Sequence, residues 1–162
     1  MAIFVVAGPK SGAAPILPKP HKLHDQMRSL AKLKRIALKI EPMPAEVRVA
    51  GVTAAKIRRS WSKRLEQAGF ELAEGEGDPV LSFKISTITD KAVPHGVAFN
   101  PYLALSQPVR IDGIDGYLAV PTFVEIVVGL ETEEKLGPVV EQQAQQMLDN
   151  FIRRWEEAAA SK

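Results

Sequence analysis

The chain predicts an α+β domain of two layers, a mainly antiparallel sheet of about four to five strands with two amphipathic helices on one face, in the order β-α-β-β-β-β-α. Three observations predict it. Apolar residues recur at spacings of three and four in two segments, 53–68 and 138–158. Apolar and polar residues alternate over several shorter runs between and before them. Clusters of Gly, Pro and Asp separate these runs.

The elements follow in order. Residues 1–30 read as an extended arm, because Pro15, Pro18 and Pro20 with Lys19, Lys22, His21 and His24 cannot bury enough apolar surface to offset their ordering entropy. Met1 to Gly8 is apolar and is followed by Ser11, Gly12, Ala13 and Ala14. That start fits the remnant of a signal peptide over 1–13 and a short terminal strand equally well. Residues 31–162 form a single domain, since 162 residues at 46% hydrophobic content supply one core and not two.

Ile36, Leu38 and Ile40 alternate with Ala37, Lys39 and Glu41 as a strand, which Pro42 and Pro44 stop. Ala54, Ile57, Trp61, Leu65 and Ala68 form one buried stripe of a helix, with Thr53 as its N-cap and Gly69 just past its end. A short strand starts at Phe70 to Leu72, and Glu74 to Pro79 is a turn. In the strand over 80–88, Leu81, Phe83 and Ile85 face one way while Ser82, Lys84 and Ser86 face the other. Such a sheet is wet on one side, which favours antiparallel pairing.

Residues 102–111 read as another strand, in which Pro101 and Pro108 imply an edge position or a bulge. The Gly113 to Gly116 turn leads into a long return strand over 117–130 carrying Val120, Phe123, Ile126 and Val128. The last helix runs from Pro138 to about Ala158, with Val140, Ala144, Met147 or Leu148, Phe151 and Trp155 as its stripe.

Several of these stretches carry a resemblance. Arg35 to Glu41, Ala50 to Thr53, Leu65 to Phe70, Leu103 to Val109, Pro121 to Phe123 and Leu148 to Trp155 together resemble a family of small, uncharacterised bacterial exported proteins, over roughly 31–155. More loosely, the topology is similar to lipopolysaccharide-assembly-type auxiliary envelope lipoproteins. The resemblance implies partner binding without chemistry and a periplasmic or otherwise exported location. The chain departs from those lipoproteins in having no cysteine to acylate.

The absence of cysteine also excludes disulfides, thiolate zinc sites and a cysteine nucleophile. No stretch reaches the roughly 18–20 apolar residues that span a bilayer. His21 and His24 have a spacing that suits a metal only on a helix, and with prolines before them and no third ligand near they read as linker residues. His95, beside Pro94 and Gly96, lacks a nucleophile or orienting carboxylate and reads as a surface residue. Gly8-Pro9-Lys10-Ser11 lacks the glycine spacing of a phosphate loop. Glu131, Glu133, Glu134, Asp90, Asp112 and Asp115 could assemble an acid/base pair only if the fold converged two of them. As residues near a helix start, the glutamates would favour the dipole of the last helix. No metal, cofactor or small-molecule substrate is therefore expected.

Charge is the strongest functional signal. Met1 to Arg64 carries 14 Lys/Arg against 3 Asp/Glu, whereas Leu65 to Lys162 carries 7 against 16. Lys56, Arg59 and Lys63 share a helix face opposite the apolar stripe. Two readings follow: the basic half meets the acidic half within the molecule or between copies, or the basic face holds phosphate groups. A net charge of +2 and the lack of interleaved aromatics favour the first. The expectation is a non-catalytic, partner-binding or accessory protein of the bacterial envelope, docking on a protein partner or on itself through Lys56, Arg59, Lys63 and the arm. The alternative is a cytoplasmic module for nucleic acid or another anionic surface, and a small carboxylate-dependent enzyme ranks below both.

Overall fold

The structure, a computed structural model, describes residues 25–73, 75 and 77–161. Its elements are α1 (Asp25–Leu30), β1 (Arg35–Ile40), α2 (Ala45–Val49), α3 (Ala54–Gln67), β2 (Glu71–Leu72), β3 (Val80–Thr89), β4 (Gly96–Val109), β5 (Leu118–Ile126), β6 (Gly129–Thr132) and α4 (Glu133–Ala160). The strands form one six-stranded sheet in the order β2-β1-β3-β4-β5, with β6 beside β4 beyond the end of β5. The α+β class and the two long helices stand as expected. The sheet is mixed, because β1 runs parallel to both β2 and β3 while the β3-β4, β4-β5 and β4-β6 pairs are antiparallel.

Local signals in the sequence set the helix ends. The Thr53 hydroxyl accepts the Lys56 backbone N–H at 3.2 Å, capping α3. At the other end Gly69, at φ +97°, lets its N–H reach the Glu66 carbonyl and the Phe70 N–H reach the Leu65 carbonyl, a Schellman closure. Gly51 closes α2 the same way through Val52 N–H to Val47 C=O. The α3 stripe of Ile57, Trp61 and Leu65 is buried, and Trp61 lies 4.8 Å from the Phe83 ring of β3. Phe151 of α4 packs edge-on to Phe123 of β5 at 5.4 Å, and Phe70 stacks on Phe151 and meets the Trp155 ring at a tilt. This aromatic seam joins both helices to one face of the sheet.

Four expectations change. Residues 25–30, expected within the arm, are helical and Leu30 is fully buried. The remainder of the arm, with His21, His24 and the 1–13 stretch, lies outside the described residues. Residues 45–49 form an unexpected helix, too short to show a period. α4 begins at Glu133, so Pro138 sits inside it. Burial of Leu136 and close approach of Gly137 to α2 favour these added residues, at the loss of the bond Pro138 would have donated. Finally, β4 is central and not an edge.

The prolines of β4 fit there for a geometric reason. Residues of an antiparallel strand direct their peptide groups alternately to the two neighbours. The Val127 N–H donates to the Pro101 carbonyl at 3.1 Å, so Pro101 directs its nitrogen toward Val127 as well. The missing donor breaks the strand opposite, between β5 and β6, and the Asn100 side chain takes its place by donating Nδ2 to the Val127 carbonyl at 2.9 Å. Pro108 lies beyond the last β4-β3 pair, Val80 with Ser106, where no strand needs its donor. The bulge falls elsewhere, in β5, where Thr122 is the extra residue between Phe123 opposite Leu105 and Pro121 opposite Ser106.

Two substitutions test this packing. A Cβ on Gly137 would stand 2.3 Å from the Ala50 carbonyl oxygen, so Gly137→Ala is expected to lower unfolding free energy by about 1–3 kcal/mol in urea titration. Asn100→Ala leaves the Val127 carbonyl without its side-chain donor and is expected to lose about 1–2 kcal/mol by the same measurement. No change in either would contradict the packing described.

Candidate binding surfaces

Part of the charge split is met inside the helix layer. α3 and α4 run side by side and parallel, joined at three rungs: Lys56 Nζ to Glu141, Ser60 Oγ to Gln145 Nε2 at 2.8 Å, and Arg64 Nε to Asp149 at 3.1 Å. Each rung joins residues 85 apart in sequence, so the residues ascend both helices together. On the opposite flank Arg58 donates to the Leu38 carbonyl at 2.8 Å, at a point of β1 that short β2 does not reach. The ion pairs are roughly half exposed and each contributes about 0–1 kcal/mol, so they fix orientation more than stability.

This arrangement separates the three cations read as one patch. Lys56 is held by Glu141, whereas Arg59 and Lys63 remain exposed with no ion pair or hydrogen bond among the described residues. Sequence spacing places all three on one helix face correctly. It carries no signal for Glu141, which reaches that face from the other end of the chain.

The other face of the sheet has no helix on it among the described residues. β3 directs Ser82, Lys84, Ser86 and Ile88 outward, β4 directs Ala98, Asn100 and Tyr102, and Lys84 lies 4.7 Å over the Tyr102 ring. The outer margin of this face is apolar. Val124, Ile126, Val128 and Leu130 alternate along it at 36%, 56%, 77% and 65% exposure, and Ile88 adds to it two strands away. A contiguous apolar strip of this kind marks an interaction surface more than chance exposure does.

The same residues form the sheet edge. β5 after its bulge and β6 keep one register against β4, with Tyr102 opposite Ile126 and Phe99 opposite Gly129, so they act as a single outer strand. Since Val127 directs its peptide groups to β4, Val124, Ile126, Val128 and Leu130 direct theirs away from the sheet. Gly129 is required there, because a Cβ would lie 2.3 Å from the Phe99 ring.

Carboxylates meet at a shallow depression of about 330 Å³ between α2 and the first turn of α4, lined by Ala45, Glu46, Val49, Ala50 and Glu133. Both acids already have neighbours: Glu46 accepts the Thr87 hydroxyl at 2.9 Å and Glu133 lies 3.8 Å from His95 Nδ1. Asp90 accepts the Ala92 N–H, and Glu134 sits with Glu133 in the first turn of α4, where the helix dipole favours both. A hydrogen bond from its own backbone N–H, then the Thr87 hydroxyl, holds the Glu46 carboxyl below its ordinary value of 4.5. A depressed folded value gives stability that is present above the unfolded value and lost as pH falls through the folded one. Thr87→Val is expected to move the Glu46 midpoint up toward 4.5 in a carboxyl-carbon NMR titration, and an unmoved midpoint would contradict the contact.

No family model matches the chain, and no curated protein matches it. Similar solved structures include the hypothetical protein CT253 from Chlamydia trachomatis, at TM-score 0.46 and 8% identity, covering 76% of this chain and 98% of that one. Rare lipoprotein B from Shewanella oneidensis matches at TM-score 0.35 and 13% identity, over 79% of this chain and 95% of that one. A minor lipoprotein from Acinetobacter baumannii matches at TM-score 0.30 and 11% identity, over 72% and 94%. Likeness at this level is too distant to carry a function or a partner from any of them to this chain.

Proposed function

We propose that this protein is a non-catalytic accessory protein that works by docking on another protein. The observation that carries the reading is the one-sided architecture. Among the described residues, helices cover one face of the sheet, while the other face carries an apolar row along an edge whose peptide groups are unpaired. On the helix side, Arg59 and Lys63 supply a second, electrostatic contact suited to an acidic protein surface, with Lys56 committed to Glu141. Their contribution is to steering and orientation, which is where exposed charges act most. The bacterial envelope is the proposed setting, supported by the apolar start of the chain, the small residues after it and the family resemblance of its sequence.

Photo-crosslinking in the native cell tests this reading. A benzophenone side chain at Val128 or at Arg59 is expected to give a discrete protein adduct, while the same group at exposed Glu156 gives none. Adducts from Glu156 as strong as those from Val128, or none from either proposed surface, would contradict it. The Arg59-side adduct is expected to fall as salt rises, and Lys63→Glu is expected to weaken it already at low salt.

A further inference from the structure

We infer that the occupant of the outer edge is a second copy of this chain, paired antiparallel along Val124 to Leu130 about a two-fold axis at Val127. The inference rests on the reading of this edge as a docking surface and names what docks there.

The chemistry of the edge calls for a strand. Val124, Ile126, Val128 and Leu130 present unpaired peptide groups at the rim and apolar side chains on the bare face, and only another extended segment satisfies both at once. The edge has definite limits. Pro121 pairs with Ser106 in a position that directs its nitrogen away from β4, so the rim has no donor there, and the Thr122 bulge follows. At the other end Thr132 is the N-cap residue of α4, where the chain leaves the sheet. The free rim between these limits has Val127 at its middle.

Charge excludes the neighbouring centre at Val128. A two-fold at Val128 would set Glu125 directly opposite Glu131 of the second copy, twice, and like charges so placed are destabilising. At Val127, Val124 meets Leu130, Ile126 meets Val128, and Glu125 meets Gly129, which has no side chain to oppose it. The rim is also unguarded. Exposed edges are commonly protected by Lys or Pro, yet from Leu118 to Thr132 there is no Lys or Arg, and Pro121 guards only the first half. A paired rim joins two sheets into one continuous sheet with the helices of both copies on the same side. A seven-residue contact falls at the small end of stable interfaces, below about 1,200 Å², so the dimer is concentration-dependent.

Sedimentation velocity on the full chain, from low to high micromolar, tests the pairing. The expected result is a shift from monomer to dimer mass. Val128→Pro removes a rim donor that no strand of the monomer uses, and Ile126→Lys places a charge in the row. Each is expected to weaken dimerisation about tenfold or more with an unchanged circular dichroism spectrum. Ile88→Lys alters the same bare face away from the rim and is expected to leave the dimer intact. If Val128→Pro fails to fold, Ile126→Lys carries the test. A chain that stays monomeric throughout, rim variants that dimerise like the native chain, or dissociation by Ile88→Lys alone would overturn the pairing. A monomeric purified chain whose Val128 crosslinks to a different protein overturns the inference while leaving the docking reading in place.

Discussion

The register that β4 imposes on its neighbours is the constraint on which the rest of the structure depends. It has the most extensive pairing of the sheet, ten residues deep against β3 and, on its other flank, against β5 and β6 in turn. Its buried side chains Val97, Phe99, Leu103 and Leu105 set which face of every adjacent strand meets the helices. Its proline at 101 decides where the outer strand breaks, and the neighbouring Asn100 restores the bond that the break would forfeit. One register therefore fixes the core face, the bare face and the pattern of open groups at the rim.

The helix layer is held by different forces. Burial of Trp61, Leu65, Phe151 and Leu148 supplies the driving force, as apolar area removed from water does in any domain of this size. The indole N–H of Trp61 is buried with no acceptor among the described residues, a polar cost that the packing of its ring against Phe83 has to exceed. The polar ladder between α3 and α4 adds little energy and follows their parallel alignment, Lys56, Ser60 and Arg64 meeting Glu141, Gln145 and Asp149 in the same order along both helices. Part of the opposition between the two halves of the sequence is thus satisfied within the molecule.

Legibility in the sequence followed the range of the cause. α3 could be read whole because its cap, stripe and Gly69 closure all lie within one short segment. β3 could be read from its alternation, Leu81, Phe83 and Ile85 being buried as expected. Pro101 misled because its acceptability depends on what lies opposite it, and Val127 is a non-local partner. The return strand was legible as a strand but not in its facing: Phe123 is buried while Ile126 and Val128, at odd spacing from it, are exposed, and only the extra residue Thr122 brings Val120 to the face of Phe123. The basic triad Lys56, Arg59 and Lys63 was legible as a helix face, yet its division into one paired and two free cations required Glu141, 85 residues away. The rim itself was illegible for the same reason, as exposure of an apolar row depends on which face the helices choose.

A β layer with one covered face and, among the described residues, one unguarded rim is the arrangement from which the proposed docking follows. The most direct test is amide hydrogen exchange on a dilute, monomeric sample. The account predicts alternation along the outer strand: slow exchange at Glu125, Val127, Gly129 and Glu131, whose groups face β4, and fast exchange at Val124, Ile126, Val128 and Leu130. Equal protection of the two sets, or protection of the second set alone, would contradict it.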